Sequence, residues 1–450
     1  MLHFLRVVFV IVFSAFSMEL FAQANVWRDI YKVKKKDTIY GIATSYGITV
    51  EDLMNANPEF KEPDFKLKKG DTVFIPYASG KKEKVSANNK KANLRHKQNI
   101  NIGVMLPLHD VDGDGKRMLE YYRGLLIGCD SLRHLGVNIE VHAWNVAIDD
   151  DIRVKLLEES AKKLDIIFGP LYTKQVKAVA DFCRANNIKL VIPFSISSSD
   201  VLTNPNVFQV YQSDEMLTSR AIMAFLERFK ECNPIFVDCN DATSNKGSFT
   251  FGLRKQLEKK GISYQITNLN SSFESFNKAF VKGKRNVIIL NTGRSPELNL
   301  ALRKLNELTD IYGSAYDISM FGYTEWLQYE SVYRTLFHKY DAYVPSTFYY
   351  YKGLSRVAAF EQNYKKWFGV GLQEQYIPRF AITGFDHSQY FIRGFYENGD
   401  AFTGSSDESE YKPIQTPLRF VKASTEGGRQ NNVFQLIHYR NDGVIATVAY

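Results

Sequence analysis

Apolar positions fall into three regimes along the chain. From Val7 to Phe16 they are continuous, between Tyr31 and Pro76 short alternating runs flank two helical stripes, and from Ile100 onward brief apolar runs alternate with amphipathic stripes. The last regime is that of a parallel sheet covered by helices. Strands buried on both faces are apolar at consecutive positions, while crossover helices are apolar at i, i+3, i+4 and i+7. Leu164 to Ser199 shows the pattern most compactly. Asp165 to Phe168 predicts a strand, Gly169-Pro170 stops it, and Val176, Val179, Ala180 and Cys183 line one face of a helix from Thr173. Ile188 to Ile192 begins the next strand. In such a βαβ unit the helix N-terminus points at the strand's carboxyl end, where ligands sit in open α/β sheets, and a hydroxyl such as Thr173 suits a carboxylate or sugar oxygen.

The same alternation predicts strands at Ile100–Leu108 and Val137–Trp144 around a helix at Tyr121–Leu135. A second series begins at Cys232, with strands at Pro234–Asp238, Ile262–Thr267, Asn286–Leu290 and Asp317–Gly322. Helices at Ser248–Lys259, Ser275–Val281 and Pro296–Leu308 alternate with them. Pro345–Tyr351 reads as a crossover, Ile382–Phe395 as a late helix, and the runs around Asn441-Asp442-Gly443 as a terminal hairpin. Two series of βα units predict two lobes. The order Gly-Pro, hydroxyl, Ala-rich helix, strand ending in Pro, Ser-rich turn, then VFQVYQSDEMLTSRAIMAFL, resembles the type I periplasmic-binding-protein fold, its amino-acid-binding branch in particular, over residues 100–450. The resemblance implies a ligand cleft between the lobes. It places Thr173, Ser195 and Ser197 as first-lobe hydroxyls and Glu325 as a second-lobe acid. The usual Tyr-Gly after the second lobe's first strand is replaced by Asn240-Asp241-Ala242-Thr243-Ser244, which departs from an α-amino-acid site.

Between Tyr31 and Pro76 the periods switch from 2 to 3.6 and back. Asp37-Thr38 can cap a helix whose stripe is Ile39, Ile42, Ala43 and Tyr46, and Gly47 ends it. Thr49 with Asp52 starts a second helix that stops at Asn57-Pro58, and Val73–Ile75 closes the unit. This strand-helix-helix-strand arrangement, carried by YKVKKKDTIYGIATSYGITVEDLMNANPEF and LKKGDTVFIP, resembles the LysM domain over residues 28–77. The resemblance implies binding of N-acetylglucosamine-containing glycans, above all peptidoglycan. Asp37, Thr38, Ile39 and Tyr40 would form one wall of a shallow groove, with Asn57, Pro58 and Glu59 the other. Many relatives have glycine where this chain has Lys36, so a positive φ there costs about 1 kcal/mol.

Composition and charge narrow the picture. Arg6 before the first apolar run, and Ala22-Gln23-Ala24 after it, predict a leader spanning residues 1–24, too short to cross a bilayer. No cysteine precedes Cys129, so no lipobox anchors the chain. The expected location is the periplasm, with no transmembrane segment after cleavage. Residues 78–99 form a linker with seven basic residues against Glu83, which accounts for six of the chain's formal net charge of +8. The run lacks aromatics, which argues against nucleic acid, and its flexibility predicts a small domain that folds and binds wall on its own. The four cysteines read as buried thiols, since Cys232 and Cys239 bracket one extended strand that holds them too far apart to bridge. Asp110, Asp112 and Asp114 copy the opening of a calcium loop, but Tyr121 stands where the bidentate Glu belongs, and an acidic turn is the expectation. There is no nucleophile elbow, zinc-protease or phosphate-loop motif, and no cofactor or metal is implied. These readings predict a non-catalytic wall-binding protein whose larger domain acts as sensor or adaptor for cell-wall machinery. The alternative is a solute receptor for an amino-acid-type transporter.

Overall fold

The computed structural model describes residues 27–62, 65–76, 99–194, 198–405 and 411–450. The leader, nearly all of the basic linker, Ser195 and Ser197 lie outside them. The small domain runs β1 (Trp27–Lys32), α1 (Ile39–Ser45), α2 (Val50–Ala56) and β2 (Thr72–Pro76), with β1 and β2 antiparallel. Local capping sets its helices. The Thr38 hydroxyl accepts from Gly41 N at 3.0 Å, and Thr49 with Asp52 completes a capping box. Lys36 does adopt the left-handed region, at φ 75°.

The first lobe contains β3 (Asn99–Leu106), α3 (Gly113–His134), β4 (Asn138–Asn145), α4 (Ile152–Leu156), β5 (Ile166–Phe168), α5 (Thr173–Ala185), β6 (Lys189–Ile192) and β7 (Val207–Gln209). The chain crosses to the second lobe through α6 (Asp214–Arg228). There it lays down β8 (Asn233–Asp238), α7 (Gly247–Lys259), β9 (Gln265–Asn268), α8 (Phe273–Asn277), β10 (Arg285–Leu290), α9 (Ser295–Tyr312), β11 (Asp317–Phe321), α10 (Glu330–Lys339) and β12 (Ala342–Ser346). It returns with α11 (Ser355–Phe368), α12 (Phe380–Asn398), β13 (Phe420–Lys422) and β14 (Arg429–Asn431), then ends on the second lobe with β15 (Gln435–Tyr439) and β16 (Ile445–Ala449). The sheets order as β13-β14-β7-β6-β5-β3-β4 and β16-β15-β12-β11-β10-β8-β9. Neighbouring strands are parallel in both except for the pairs β13–β14, β12–β15 and β15–β16. This is the two-lobed, doubly wound type I periplasmic binding fold, joined to a small βααβ module.

Helix α3 begins eight residues before its expected start. Asp112 caps it by accepting from Gly115 N at 2.8 Å, and Asp114 pairs with Arg117, so the acidic loop is absorbed into a helix N-terminus. No group of three metal-ligating side chains occurs among the described residues. Helices α3 and α12 meet backbone to backbone. A Cβ on Gly124 would stand 1.7 Å from Ala381 O, and one on Gly384 would stand 2.0 Å from Tyr121 O, so only glycine permits the crossing. All four cysteines are free and buried, and burial pushes Cys129 up to about 12.

The small domain does not stand apart. Ala56 and Phe74 join the apolar core of the second lobe, Phe74 with no exposed surface, and Lys259 Nζ lies 2.9 Å from Glu59. On the other side Gly47, at φ 63°, comes so close to the first lobe that an added Cβ would lie 2.9 Å from Ser424 Cβ. The linker composition suggested a free tether, but the outward face of β2 carries a phenylalanine that needs a partner surface.

Candidate ligand-binding sites

The expected groove of the small domain has two unlike walls. Asp37 accepts from Tyr31 Oη at 2.7 Å and from Lys34 N at 2.6 Å, contacts that hold its carboxyl below the usual range and fix the turn into α1. Thr38 caps α1, Ile39 is half-buried, and Tyr40 is 72% exposed, so this wall presents an aromatic ring to solvent. Across from it Pro58 is exposed, but Asn57 is fully buried. Its side-chain amide donates to Leu53 O at 2.8 Å and Phe74 O at 2.6 Å, and its oxygen accepts from Phe74 N at 2.8 Å. Asn57 therefore ties α2 to β2, and its polar atoms are spent inside the domain. Glu59 is engaged by Lys259 of the second lobe.

Between the lobes lies a cavity of about 410 Å³, where all three interlobe crossings meet. Phe194, Phe380 and His387 face it from the first lobe; Lys246, Phe249, Tyr323 and Glu325 face it from the second; and Gln212, Phe348 and Phe434 face it from the crossings. Glu325 reaches the cavity as expected, but Lys246 forms an ion pair with it and also lies 5.0 Å from the Tyr323 ring centroid. The carboxylate is already compensated, so it does not stand as a free acid for a ligand ammonium. Thr173 is exposed at the first turn of α5 and is not among the residues lining the cavity.

His387 is the group that sequence reading missed. It is 1% exposed, its Nδ1 lies 3.0 Å from Tyr121 Oη, and its Nε2 has no hydrogen-bond partner. Burial pushes the imidazole down to about 3, so it is neutral at physiological pH. Gln212 also keeps an unpartnered side-chain oxygen while donating to Val433 O at 2.6 Å. Neither has a sequence signal, because each becomes polar lining only once the crossings and the α3–α12 contact bring them together.

Comparison with known proteins bears on the two parts of the chain separately. Residues 31–76 match the LysM domain family. The larger domain is similar to a putative branched-chain amino acid ABC transporter protein from Rhodospirillum rubrum, at 14% identity, 78% of this chain, 99% of that one and a TM-score of 0.52. It is also similar to an ABC transporter substrate-binding protein from Desulfitobacterium hafniense in complex with Leu, at 14% identity, 78% and 100% coverage and a TM-score of 0.42. At such identity the likeness shows the fold alone. No curated protein matches the chain. Among the described residues, no helix is long and apolar enough to cross a membrane.

Proposed function

We propose that the chain is an exported, non-catalytic periplasmic protein that binds peptidoglycan glycan through its LysM domain and presents the two-lobed domain as a ligand sensor or adaptor for cell-wall machinery. The observation that carries this reading is the LysM match over residues 31–76, with the Thr38–Tyr40 wall open to solvent. Contacts from a tyrosine ring and backbone groups to an N-acetylated sugar are uncharged. They persist at 1 M salt, where a Debye length of about 3 Å removes any help from the basic linker. The test is a pull-down of the full-length protein on purified sacculi at about 0.1 M and 1 M salt. Wild type pellets at both, and Tyr40→Ala lowers the bound fraction at least fivefold at 1 M. Equal pelleting of the two proteins sinks the assignment.

A second reading, a solute receptor for an amino-acid-type transporter, draws support from the enclosed interlobe cavity and from the names of the structural neighbours. The Lys246–Glu325 pair weighs against an α-amino acid, whose ammonium would need the acid that the lysine already holds. A thermal-shift screen separates the readings, because saturation at 100 times Kd adds about 2.7 kcal/mol. A shift with free amino acids favours the receptor, and a shift with muropeptides alone favours the sensor.

A further inference from the structure

The two seven-stranded sheets have four outer strands, and each outer strand leaves one row of backbone N–H and C=O groups without a ladder partner. Three of them are guarded. β4 carries Glu140 and His142, β13 is three residues long and ends on Lys422, and β9 is four residues long with Gln265 and Asn268 at its ends. The fourth, β16, reads Ile-Ala-Thr-Val-Ala over Ile445–Ala449, five residues with neither charge nor proline. Thr447 and Ala449 are exposed and the other three are half-buried, so solvent reaches the strand along its length.

The register with β15 fixes which groups face outward. Arg440 N donates to Val444 O at 3.0 Å and Tyr450 N to Phe434 O at 2.9 Å, so in the alternation of an antiparallel pair Ala446 and Val448 also turn their backbone groups toward β15. Ile445, Thr447 and Ala449 turn theirs away, and among the described residues no other segment forms a backbone hydrogen bond to them.

An open row of this kind is filled by another extended strand, and β16 is complementary to itself. Two copies related by a two-fold axis through Thr447 place Ile445 opposite Ala449 of the second copy and each Thr447 opposite its mate. All three outward residues then fall at hydrogen-bonded positions of an antiparallel ladder. No charge opposes the approach, because Arg440 and Asp442, at the tip of the hairpin, pair with each other at 2.6 Å. Five residues a side bury less than the roughly 1,200–2,000 Å² typical of a stable complex, which makes the contact a reversible one.

We infer that β16 is a homodimer interface, through which two copies join their second-lobe sheets edge to edge. The LysM domains are left clear of it. Each docks around a junction cavity of about 750 Å³ lined by Tyr31 and Tyr46 of the small domain, Phe251 of α7, and Gln209 and Gln430 of the first-lobe sheet. Its Glu59 is held by Lys259, which ends the helix between β8 and β9, at the opposite end of the sheet from β16. A dimer therefore presents two wall-binding domains to one polymer, a consequence that rests on the proposed glycan function although the interface itself does not.

The test is sedimentation velocity of the full-length protein between about 5 and 300 μM, the range in which an interface of this size associates. Wild type is expected to shift from monomer to dimer. Thr447→Pro removes the outward N–H at the centre of the pairing, a donor that β15 does not use, and remains monomeric throughout. Thr447→Lys sets two ammonium groups facing each other across the axis and also remains monomeric. Its side chain is exposed, so Tm is unchanged, and it carries the test if the proline variant folds poorly. Thr447→Val keeps the backbone groups and the neutral face, and dimerises as wild type does. A wild type that stays monomeric at the highest concentration overturns the inference, as does a dimer that the lysine variant leaves intact.

Discussion

The interlobe cleft and the junction beneath the LysM domain are both cavities between bodies, and they differ in where their ion pair sits: inside the first, and between domains at the second. In the cleft, Lys246 and Glu325 satisfy each other, and His387 is kept neutral by burial among aromatic rings. The cleft also holds two buried polar atoms without a partner, His387 Nε2 and the Gln212 side-chain oxygen, among its apolar faces. At the junction the ion pair, Glu59 with Lys259, joins small domain to second lobe, and the two glutamines that line the cavity, Gln209 and Gln430, keep their unmatched side-chain oxygens fully buried. The contrast shows that charge in a pocket is a poor guide to ligand charge when the counter-charge is already present.

The comparison breaks most sharply at Phe74. Truncating a fully buried phenylalanine costs about 3–5 kcal/mol, and this ring is shared between the small domain and the second lobe. Phe74→Ala is therefore expected to release the LysM domain, seen as a separate early transition in calorimetry and faster proteolysis between residues 76 and 99. One unchanged cooperative transition would mean that docking contributes nothing to stability.

Acid sharpens the contrast next. The His387 imidazole sits at about 3 in the folded protein against about 6.5 unfolded, so its neutral form favours folding above pH 6.5, and that stability is lost as pH falls toward 3. The loss reaches about 2 kcal/mol by pH 5. Glu120, raised to about 7 by burial, works in the other sense between pH 4.5 and 7, so the comparison needs a variant. Urea midpoints of wild type and His387→Asn at pH 7 and 5 isolate the histidine, with the wild type losing more.

The smallest effects belong to the two ion pairs. Both are partly exposed, so Lys246→Met and Lys259→Ala each change stability by no more than about 1 kcal/mol. They differ in function: the first frees Glu325 and admits cationic ligands to the cleft in a thermal-shift assay, and the second leaves the cleft unchanged. Equal responses would erase the distinction between the regions.

Sequence alone determined whatever depends on neighbours a few residues apart. The period of the apolar positions set both lobes' alternation of strand and helix, and the Thr38 cap and the Thr49–Asp52 box, each within three residues, set the helices of the LysM domain. The strain at Lys36 was legible for the same reason. Tertiary structure alone decided how distant groups were used. Asn57 serves the backbone of Phe74, 17 residues on; Glu325 meets Lys246, 79 residues away; and Gln209 stands beside Gln430 across an interval that includes most of the second lobe. Local rules specify a residue's backbone and the face it lies on. Whether its polar atoms are free or spent depends on which segment the fold lays against that face, and that choice is made by the packing of the whole chain.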